Sequence, residues 1–241
     1  MKILLPIARP PWTSLGKQLE SLIRKALYDF QMLEGGGEAL AIALSGGKDS
    51  LSLLFLLQAI LGRGFPKLSL QALHVDGEFS CGSGVSLPFL KGICKELGVN
   101  FIQLTSQQKQ EGLECYSCSR ERRSLLFRKA KEVGAKIIAF GHHRDDSIQT
   151  FLMNLLHKGE AEGNIPVVEM RDYGVRIIRP LIYVPEKLLY EFSKKYGFNR
   201  VSCLCPVGQN SQRKKTEQLI QEMEKLYPHA RGNLFLATLK P

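Results

Sequence analysis

Residues 39–51, ALAIALSGGKDSL, decide the fold of this 241-residue chain. The first seven are mostly apolar, which is typical of a buried strand of a parallel sheet. A loop of small residues, SGGKDS at 45–50, follows, and it leads into an apolar segment that predicts a helix over residues 50–61. The order of strand, glycine loop and helix predicts a βα unit whose loop binds a ligand.

The loop at 45–50 has the composition of an anion site. A turn from strand to helix exposes backbone N–H groups, and the helix that follows adds the positive end of its dipole. Gly46 and Gly47 let the main chain approach an anion closely. Ser45 and Ser50 supply hydroxyls, and Lys48 supplies a positive charge. These residues predict a cradle for phosphate or pyrophosphate.

The loop differs from the common loop that binds nucleoside triphosphates. That motif requires a glycine five residues before its Gly-Lys pair and a Ser or Thr after the lysine. Ile42 and Asp49 occupy those two positions here. We therefore expect a different class of phosphate loop.

The rest of the chain predicts an α/β fold, because strand and helix patterns alternate four times. This alternation indicates a Rossmann-like parallel sheet with helices on both faces. Further strands are predicted at 68–75, 100–105 and 135–141, and further helices at 14–33, 87–97, 120–133, 146–157 and 211–226. We expect an N-terminal helical appendage at 1–32, a catalytic domain at 33–208 and a C-terminal helical appendage at 209–241.

Polar residues follow three of the predicted strands, and ligands of such sheets bind beyond the carboxyl ends of the strands. One of the two adjacent aspartates at 145–146 could cap the following helix while the other faces the site. The aspartate at 76 could equally be a plain turn residue. Besides the loop, the candidate residues are Asp76, Gly141, His142, Arg144, Asp145 and Asp146.

The chain is strongly basic, with a formal net charge of +10 and a pI near 9.4. The segment at 120–131 carries six Lys or Arg side chains against one glutamate. Such clustering favours nucleic acid as a partner. No apolar run is long enough to span a bilayer, so we expect a cytoplasmic protein without a membrane partner.

The chain has six cysteines, which in a cytoplasmic protein of this size favour metal or redox chemistry. Cys115 and Cys118 have the spacing of metal ligands. They could be a redox pair or half of a zinc site that Cys203 and Cys205 complete. Three thiolates could instead bind a four-iron cluster and leave one iron open. Cys94 lies on an apolar helix face and is expected in the core.

SGGKDS resembles the pyrophosphate loop of the ATP pyrophosphatase superfamily. The segment at 115–156, which runs from CYSCSRERR through GHHRDD to a leucine-rich helix, resembles the tRNA 2-thiocytidine synthetases. The likeness continues through IIRPLIYVPEK to LCPVGQNSQR and covers about residues 15–228. The resemblance implies an adenine nucleotide alpha hydrolase-like fold.

The resemblance also implies the cofactors ATP, Mg²⁺ and a [4Fe-4S] cluster. Asp49 would help hold Mg²⁺. Cys115 and Cys118 would bind the cluster together with Cys205, which precedes the N-x-Q-R segment; Cys203 is the rival third ligand.

The implied reaction is ATP-dependent thiolation of tRNA. ATP adenylates the C2 oxygen of an anticodon-loop cytidine, pyrophosphate leaves into the loop, and sulfur replaces the oxygen. Lys48 and Arg144 would stabilise developing charge, and Asp145 or Asp146 would position a metal or a proton. Asp76, Gly141 and His142 would lie near the nucleotide. The arginines at 120–128 could bind tRNA phosphates.

The implied partners are tRNA and a sulfur donor such as a cysteine desulfurase, and the N-terminal helix could serve a homodimer. One alternative is thiolation of another tRNA base, although those relatives usually carry zinc knuckles. Lysidine synthesis uses the same loop but needs no cysteine cluster. The other alternative is a non-catalytic RNA-binding protein with a structural metal.

Overall fold

The computed structural model describes residues 5–77, 86–107, 115–198 and 212–239, without the side chains of residues 115–117. The strands are β1 (Ala39–Ala43), β2 (Ser69–Asp76), β3 (Asn100–Thr105), β4 (Ile137–Ala139), β5 (Val167–Met170) and β6 (Val175–Ile178). The helices are α1 (Ser14–Asp29), α2 (Lys48–Ile60), α3 (Leu87–Leu97), α4 (Cys115–Glu132), α5 (Arg144–Lys158), α6 (Glu186–Tyr196), α7 (Gln212–Leu226) and α8 (Ala230–Thr238).

The strands form one six-stranded sheet in the order β3-β2-β1-β4-β6-β5. β1 pairs in parallel with β2 on one side and with β4 on the other. Along the chain, the first three strands run from β1 through β2 to the edge strand β3. The chain then crosses back, and β4 pairs with the other side of β1. This reversal opens a crevice between the carboxyl ends of β1 and β4, where ligands of such sheets bind.

The hydrophobic core lies on both faces of the sheet, as successive residues of β1 demonstrate. Leu40 and Ile42 belong to the cluster that α1, α2, α3 and α6 cover. Ala39 and Ala41 face the opposite cluster, which α4 covers with Leu126 and Phe127. A strand buried on both faces explains the continuous apolar run in the sequence. The predicted fold class is confirmed.

The structure differs from the sequence prediction at several elements. β5 was not expected, and it pairs antiparallel with β6 at the edge of an otherwise parallel sheet. α8 was also not expected. α4 begins at Cys115 rather than at residue 120, and α5 begins at Arg144 rather than at residue 146. Both helices therefore start inside the segments that carry the predicted chemistry.

The terminal helices pack against the rest of the chain. α1 buries Leu19, Ile23 and Leu27 in the same cluster as α2. α7 and α8 contact α5 through a smaller cluster that contains Ile148 and Ile220. The division into a domain at 33–208 and appendages at 1–32 and 209–241 stays a prediction. Within the described ranges, every helix is too short or too polar to cross a membrane.

Candidate active site

A cavity of about 280 Å³ opens at the crevice between β1 and β4. Five parts of the chain line it: the loop after β1 with the start of α2, the carboxyl-terminal half of β2, the turn after β4, the first turn of α5 and one side of α4. Its polar lining comprises Ser45, Asp49, Ser50, Ser119, Arg122, Arg123, His142 and Asp146. The cavity therefore brings together two segments that lie far apart in sequence, the glycine loop and the helix that begins at Cys115.

The hydroxyl groups of two serines fix the conformation of the glycine loop by hydrogen bonds. Ser50 Oγ accepts a hydrogen bond from Gly46 N at 3.1 Å and donates to Gly47 O at 3.0 Å. Ser45 Oγ lies 3.1 Å from Ser50 Oγ. Gly46 has a φ of +87°, a conformation that side chains rarely adopt. The sequence therefore specifies a preformed loop at the N-terminus of α2, as an anion site requires.

Lys48 begins α2, and carboxylates surround its amine. Its Nζ lies 3.0 Å from Asp49 Oδ1 and 2.9 Å from Glu186 Oε1. Burial alone would lower the pKa of Lys48, but these two carboxylates raise it above its ordinary value.

Asp49 is affected by its neighbours in the cavity. Burial raises the pKa of Asp49, and the negative charge of Asp146 raises it further. The carboxylates of Asp49 and Asp146 thus lie close enough to repel each other in one cavity.

The turn after β4 lies directly against the glycine loop. A methyl group on Gly141 would lie 3.1 Å from the backbone nitrogen of Ser50 and 3.2 Å from the carbonyl carbon of Asp49. Both are backbone atoms, which cannot rotate aside as a side chain can. Gly141 is therefore required for close approach of the two turns.

His143 and Asp146 form a capping box at the start of α5. His143 Nδ1 accepts from Asp146 N, and Asp146 Oδ2 accepts from His143 N at 3.1 Å. Burial acts to raise the pKa of Asp146, but His143 and Arg213 hold it below its ordinary value. Asp146 therefore caps the helix and lines the cavity as an ionised carboxylate.

Asp145 faces away from this cavity. Its Oδ1 contacts Arg231 of α8 at 2.7 Å, and its Oδ2 accepts from the backbone N–H of Glu186 at 2.8 Å. Arg231 also contacts Glu217 and Glu224 of α7. Asp145 thus ties the start of α6 to the C-terminal helices. Arg144 Nε lies 4.0 Å from Asp145 Oδ2.

His142 lies in the cavity with its ring stacked on Phe140 at 5.7 Å between centroids. Arg179, the residue after β6, donates from Nε to His142 Nδ1 at 3.3 Å. Burial, followed by the charge of Arg179, lowers the pKa of His142 to about 3. His142 is therefore a neutral imidazole at physiological pH.

One side of α4 faces the cavity. Arg122 and Arg123 line it, and binding of tRNA phosphates by the arginines of this helix stays a prediction. Cys118 lies one turn before Arg122 and is buried, with 7% of its surface exposed. Residues four apart share a helix face. Cys118, the described cysteine of the C-x-x-C pair, does not itself line the cavity but shares the face of α4 that carries Arg122.

The described residues include carboxylates that fit the implied Mg²⁺ and a thiol that fits the implied iron–sulfur cluster. Carboxylates such as Asp49 and Asp146 are the ligands that Mg²⁺ prefers. Thiolates are the ligands of iron–sulfur clusters, and Cys118 is a buried cysteine. The side chain of Cys115 and the residues Cys203 and Cys205 lie outside the described residues. Within the described ranges, no three His, Cys, Asp or Glu side chains form a metal-binding group.

Not every predicted residue lines the cavity. Ser45, Asp49, Ser50, Gly141, His142 and Asp146 do. Gly46, Gly47, Lys48, Asp76, Arg144 and Asp145 are not among the described residues that line it. Asp76 ends β2 and accepts hydrogen bonds from Gly77 N at 2.9 Å and Gln103 Nε2 at 3.2 Å. Cys94 is fully buried in the core and burial raises its pKa to about 12, so its predicted core position is confirmed.

Known proteins resemble this chain in sequence and fold. A family model described as a PP-loop domain matches residues 15–202. A tRNA-cytidine(32) 2-sulfurtransferase from Cupriavidus necator is 35% identical over 232 residues, which cover 92% of this chain and 73% of the relative. The enzyme of the same name from Dechloromonas aromatica is 34% identical, with 79% of its length covered. The chain belongs to the tRNA-cytidine(32) 2-sulfurtransferase family.

This family membership confirms the resemblance to the tRNA 2-thiocytidine synthetases that the sequence motifs indicated. Among solved structures, the U34-tRNA thiolase NcsA from Methanococcus maripaludis with its [4Fe-4S] cluster superposes with a TM-score of 0.74 at 20% identity, covering 93% of this chain and 78% of that one. NMN synthetase from Francisella tularensis superposes with a TM-score of 0.51 at 13% identity, covering 94% and 98%. At these identities the two structures show that the fold is shared. This chain therefore has the α/β fold that its sequence predicted, and both solved structures share that fold.

Proposed function

We propose that the chain is an ATP-dependent tRNA thiolase that converts an anticodon-loop cytidine to 2-thiocytidine and releases AMP and pyrophosphate. The observation that carries this proposal is the shared cavity. The pyrophosphate loop and the helix that begins with the C-x-x-C pair line the same 280 Å³ space. Activation of a base and delivery of sulfur to it require such proximity, because the activated base must not meet water first.

The glycine loop binds the phosphates of ATP. In the structure Gly46 N donates to Ser50 Oγ and Gly47 N to Ser45 Oγ, and phosphate oxygens at the N-terminus of α2 would take the place of these hydroxyl acceptors. Lys48 is held by Asp49 and Glu186, and pyrophosphate competes with Glu186 for it. Asp49 and Asp146 would hold Mg²⁺, which neutralises the departing pyrophosphate.

Arg122 and Arg123 act on the charge that develops during the reaction. The C2 oxygen of cytidine forms a bond to the α-phosphorus of ATP while the bond to pyrophosphate breaks. Negative charge accumulates on the phosphate oxygens in this step, and guanidinium groups fixed in a cavity stabilise it. Cys115, Cys118 and Cys205 or Cys203 would hold the iron–sulfur cluster, which would present donor-derived sulfide for the attack at C2. AMP then leaves with the former C2 oxygen.

The substrate base reaches the cavity because it is unpaired. A cytidine in an anticodon loop can be turned out of its stack into a pocket. The exposed arginines of α4 outside the cavity, such as Arg120 and Arg128, would contact tRNA phosphates.

We further propose that the reaction occurs in the cytoplasm, that a cysteine desulfurase provides the sulfur, and that the active form is a homodimer.

The test is a reaction of anaerobically reconstituted protein with tRNA, ATP, Mg²⁺ and sulfide. Nucleosides from the digested tRNA are separated and identified by mass spectrometry, and AMP is measured in parallel. We expect 2-thiocytidine and AMP in equal amounts. Asp49→Asn is the loss-of-function variant, and Asp172→Asn, a like change on the surface 3₁₀ turn at Arg171–Tyr173, is its control.

Each other outcome rejects part of the proposal. A thiolated uridine would identify a different substrate base. Binding of tRNA with no thiolated nucleoside, in protein that retains its iron, would favour a non-catalytic RNA-binding protein. Formation of AMP without tRNA would show that cytidine is not the group that is adenylated.

A further inference from the structure

Arg179 is a buried arginine that contacts His142 of the candidate site. It follows β6, and its backbone is fixed by hydrogen bonds from Arg179 N to Pro166 O at 3.0 Å and from Ile182 N to Arg179 O at 3.0 Å. Its side chain is buried, with 9% of its surface exposed. One guanidinium nitrogen donates to Ile165 O, and Nε donates to His142 Nδ1 at 3.3 Å. The guanidinium is therefore held on both sides.

The direction of the bond to His142 is fixed by chemistry. Arginine has N–H donors and no acceptor, so His142 Nδ1 must accept. An imidazole nitrogen that accepts carries no proton, and the neutral ring then has its proton on Nε2. Burial and Arg123 lower the pKa of Arg179 to about 10, so the guanidinium remains charged at neutral pH. The charged groups around His142 are Arg179, Asp146, Arg213 and Arg123.

We propose that Arg179 is a positioning residue that holds His142 as the Nε2–H tautomer, so that His142 donates one hydrogen bond to an acceptor atom of the nucleotide. The ring itself is oriented by its stacking on Phe140, which is nearly parallel at an interplanar angle of 5°. With Nδ1 occupied, Nε2 is the ring nitrogen left for a ligand. The identification of the ligand as ATP rests on the proposed function. The tautomer of His142 rests only on its contact with Arg179.

The first test is nuclear magnetic resonance of protein labelled with ¹⁵N in its five histidines. His142→Gln identifies the His142 signals by their loss. At pH 7 we expect Nδ1 of His142 at the position of an unprotonated ring nitrogen and Nε2 at that of a protonated one. In Arg179→Met we expect the two signals to shift toward averaged values, whereas Arg179→Lys restores a donor and part of the wild-type pattern. A proton on Nδ1 in the wild-type protein would overturn the proposal.

The second test is the affinity for ATP, measured by calorimetry in the absence of tRNA. His142→Gln keeps a donor near the Nε2 position, and His142→Leu removes it. Loss of one hydrogen bond predicts roughly three- to tenfold weaker binding for His142→Leu and for Arg179→Met, with His142→Gln close to wild type. Arg176→Met is the matched control, because Arg176 contacts Glu169 and Glu34 O.

The outcomes separate this proposal from the proposed function. Equal ATP affinity in His142→Leu and wild type would overturn the role in nucleotide binding, whatever the protein does to tRNA. The expected tautomer and affinities together with no thiolated product would support the roles of Arg179 and His142 and reject the thiolase.

Discussion

Gly141→Ala tests whether the turn after β4 must touch the glycine loop. The added methyl group would lie 3.1 Å from Ser50 N, 3.2 Å from Asp49 C and 3.3 Å from Ser50 Cα. Ordinary carbon contacts begin near 3.5 Å, so the two turns must separate by several tenths of an ångström. Overpacking of this kind costs about 1–3 kcal/mol. Alanine also restricts the unfolded chain, which returns about 0.4–1 kcal/mol.

The expected net loss is therefore about 1–2 kcal/mol of unfolding free energy, measured by urea denaturation. ATP binding should weaken by about tenfold, since displacement of the loop loses the equivalent of one good hydrogen bond. Gly232→Ala is the control. Gly232 lies in α8 with no atom within 4 Å of the added methyl group. It should stabilise the protein by about 0.5–1 kcal/mol and leave ATP affinity unchanged.

Unfolding of Gly141→Ala at the wild-type urea concentration, together with wild-type ATP affinity, would contradict the steric requirement at Gly141. Loss of ATP affinity with unchanged stability would show that the turns separate without cost and would remove the steric argument. Equal destabilisation by Gly141→Ala and Gly232→Ala would attribute the effect to glycine replacement in general.

Arg231→Met leaves a buried carboxylate without its cation and should cost about 2–4 kcal/mol of unfolding free energy, whereas Lys225→Met, which breaks an exposed pair, should cost less than about 1 kcal/mol. Arg122→Met should lower the rate of 2-thiocytidine formation by about 10²-fold in single-turnover assays, and the exposed Arg128→Met on the same helix should not. The pKa of His142 is about 3 in the folded protein, below its ordinary 6.5, so the unfolded chain binds the proton first and stability falls as pH drops from about 6.5. Between pH 7 and pH 5 the wild type should lose about 1–2 kcal/mol more than His142→Gln in urea denaturation, and equal losses would contradict the neutral assignment.

The sequence predicted the elements whose local pattern leaves little choice. The apolar run of β1 and the two glycines after it predict a strand, a loop and a helix, and the repeated alternation predicts the sheet. The edge strand β5 was missed because it is short and only partly buried, so its residues show neither a full apolar run nor alternation. The start of α4 was missed because CYSCS has no apolar periodicity.

The candidate site was predictable as a set of segments but not as a set of side chains. Which of two adjacent aspartates faces the cavity depends on Arg231, a residue 86 positions later in the chain. Whether the arginines of α4 meet tRNA or the nucleotide depends on how that helix is rotated against the sheet. Arg179 lies within IIRPLIYVPEK, but the sequence does not show that its partner is His142, because the pairing of β4 with β6 fixes that contact. Tertiary packing decides all three.

The most direct test of the central claim follows the C2 oxygen of the cytidine. A tRNA whose target cytidine carries ¹⁸O at C2 is incubated with reconstituted protein, ATP, Mg²⁺ and sulfide, and the AMP is analysed by mass spectrometry. Adenylation of that oxygen followed by its replacement predicts one ¹⁸O atom in each AMP that accompanies a 2-thiocytidine. Release of the ¹⁸O to water, with unlabelled AMP beside the thiolated product, would contradict the account.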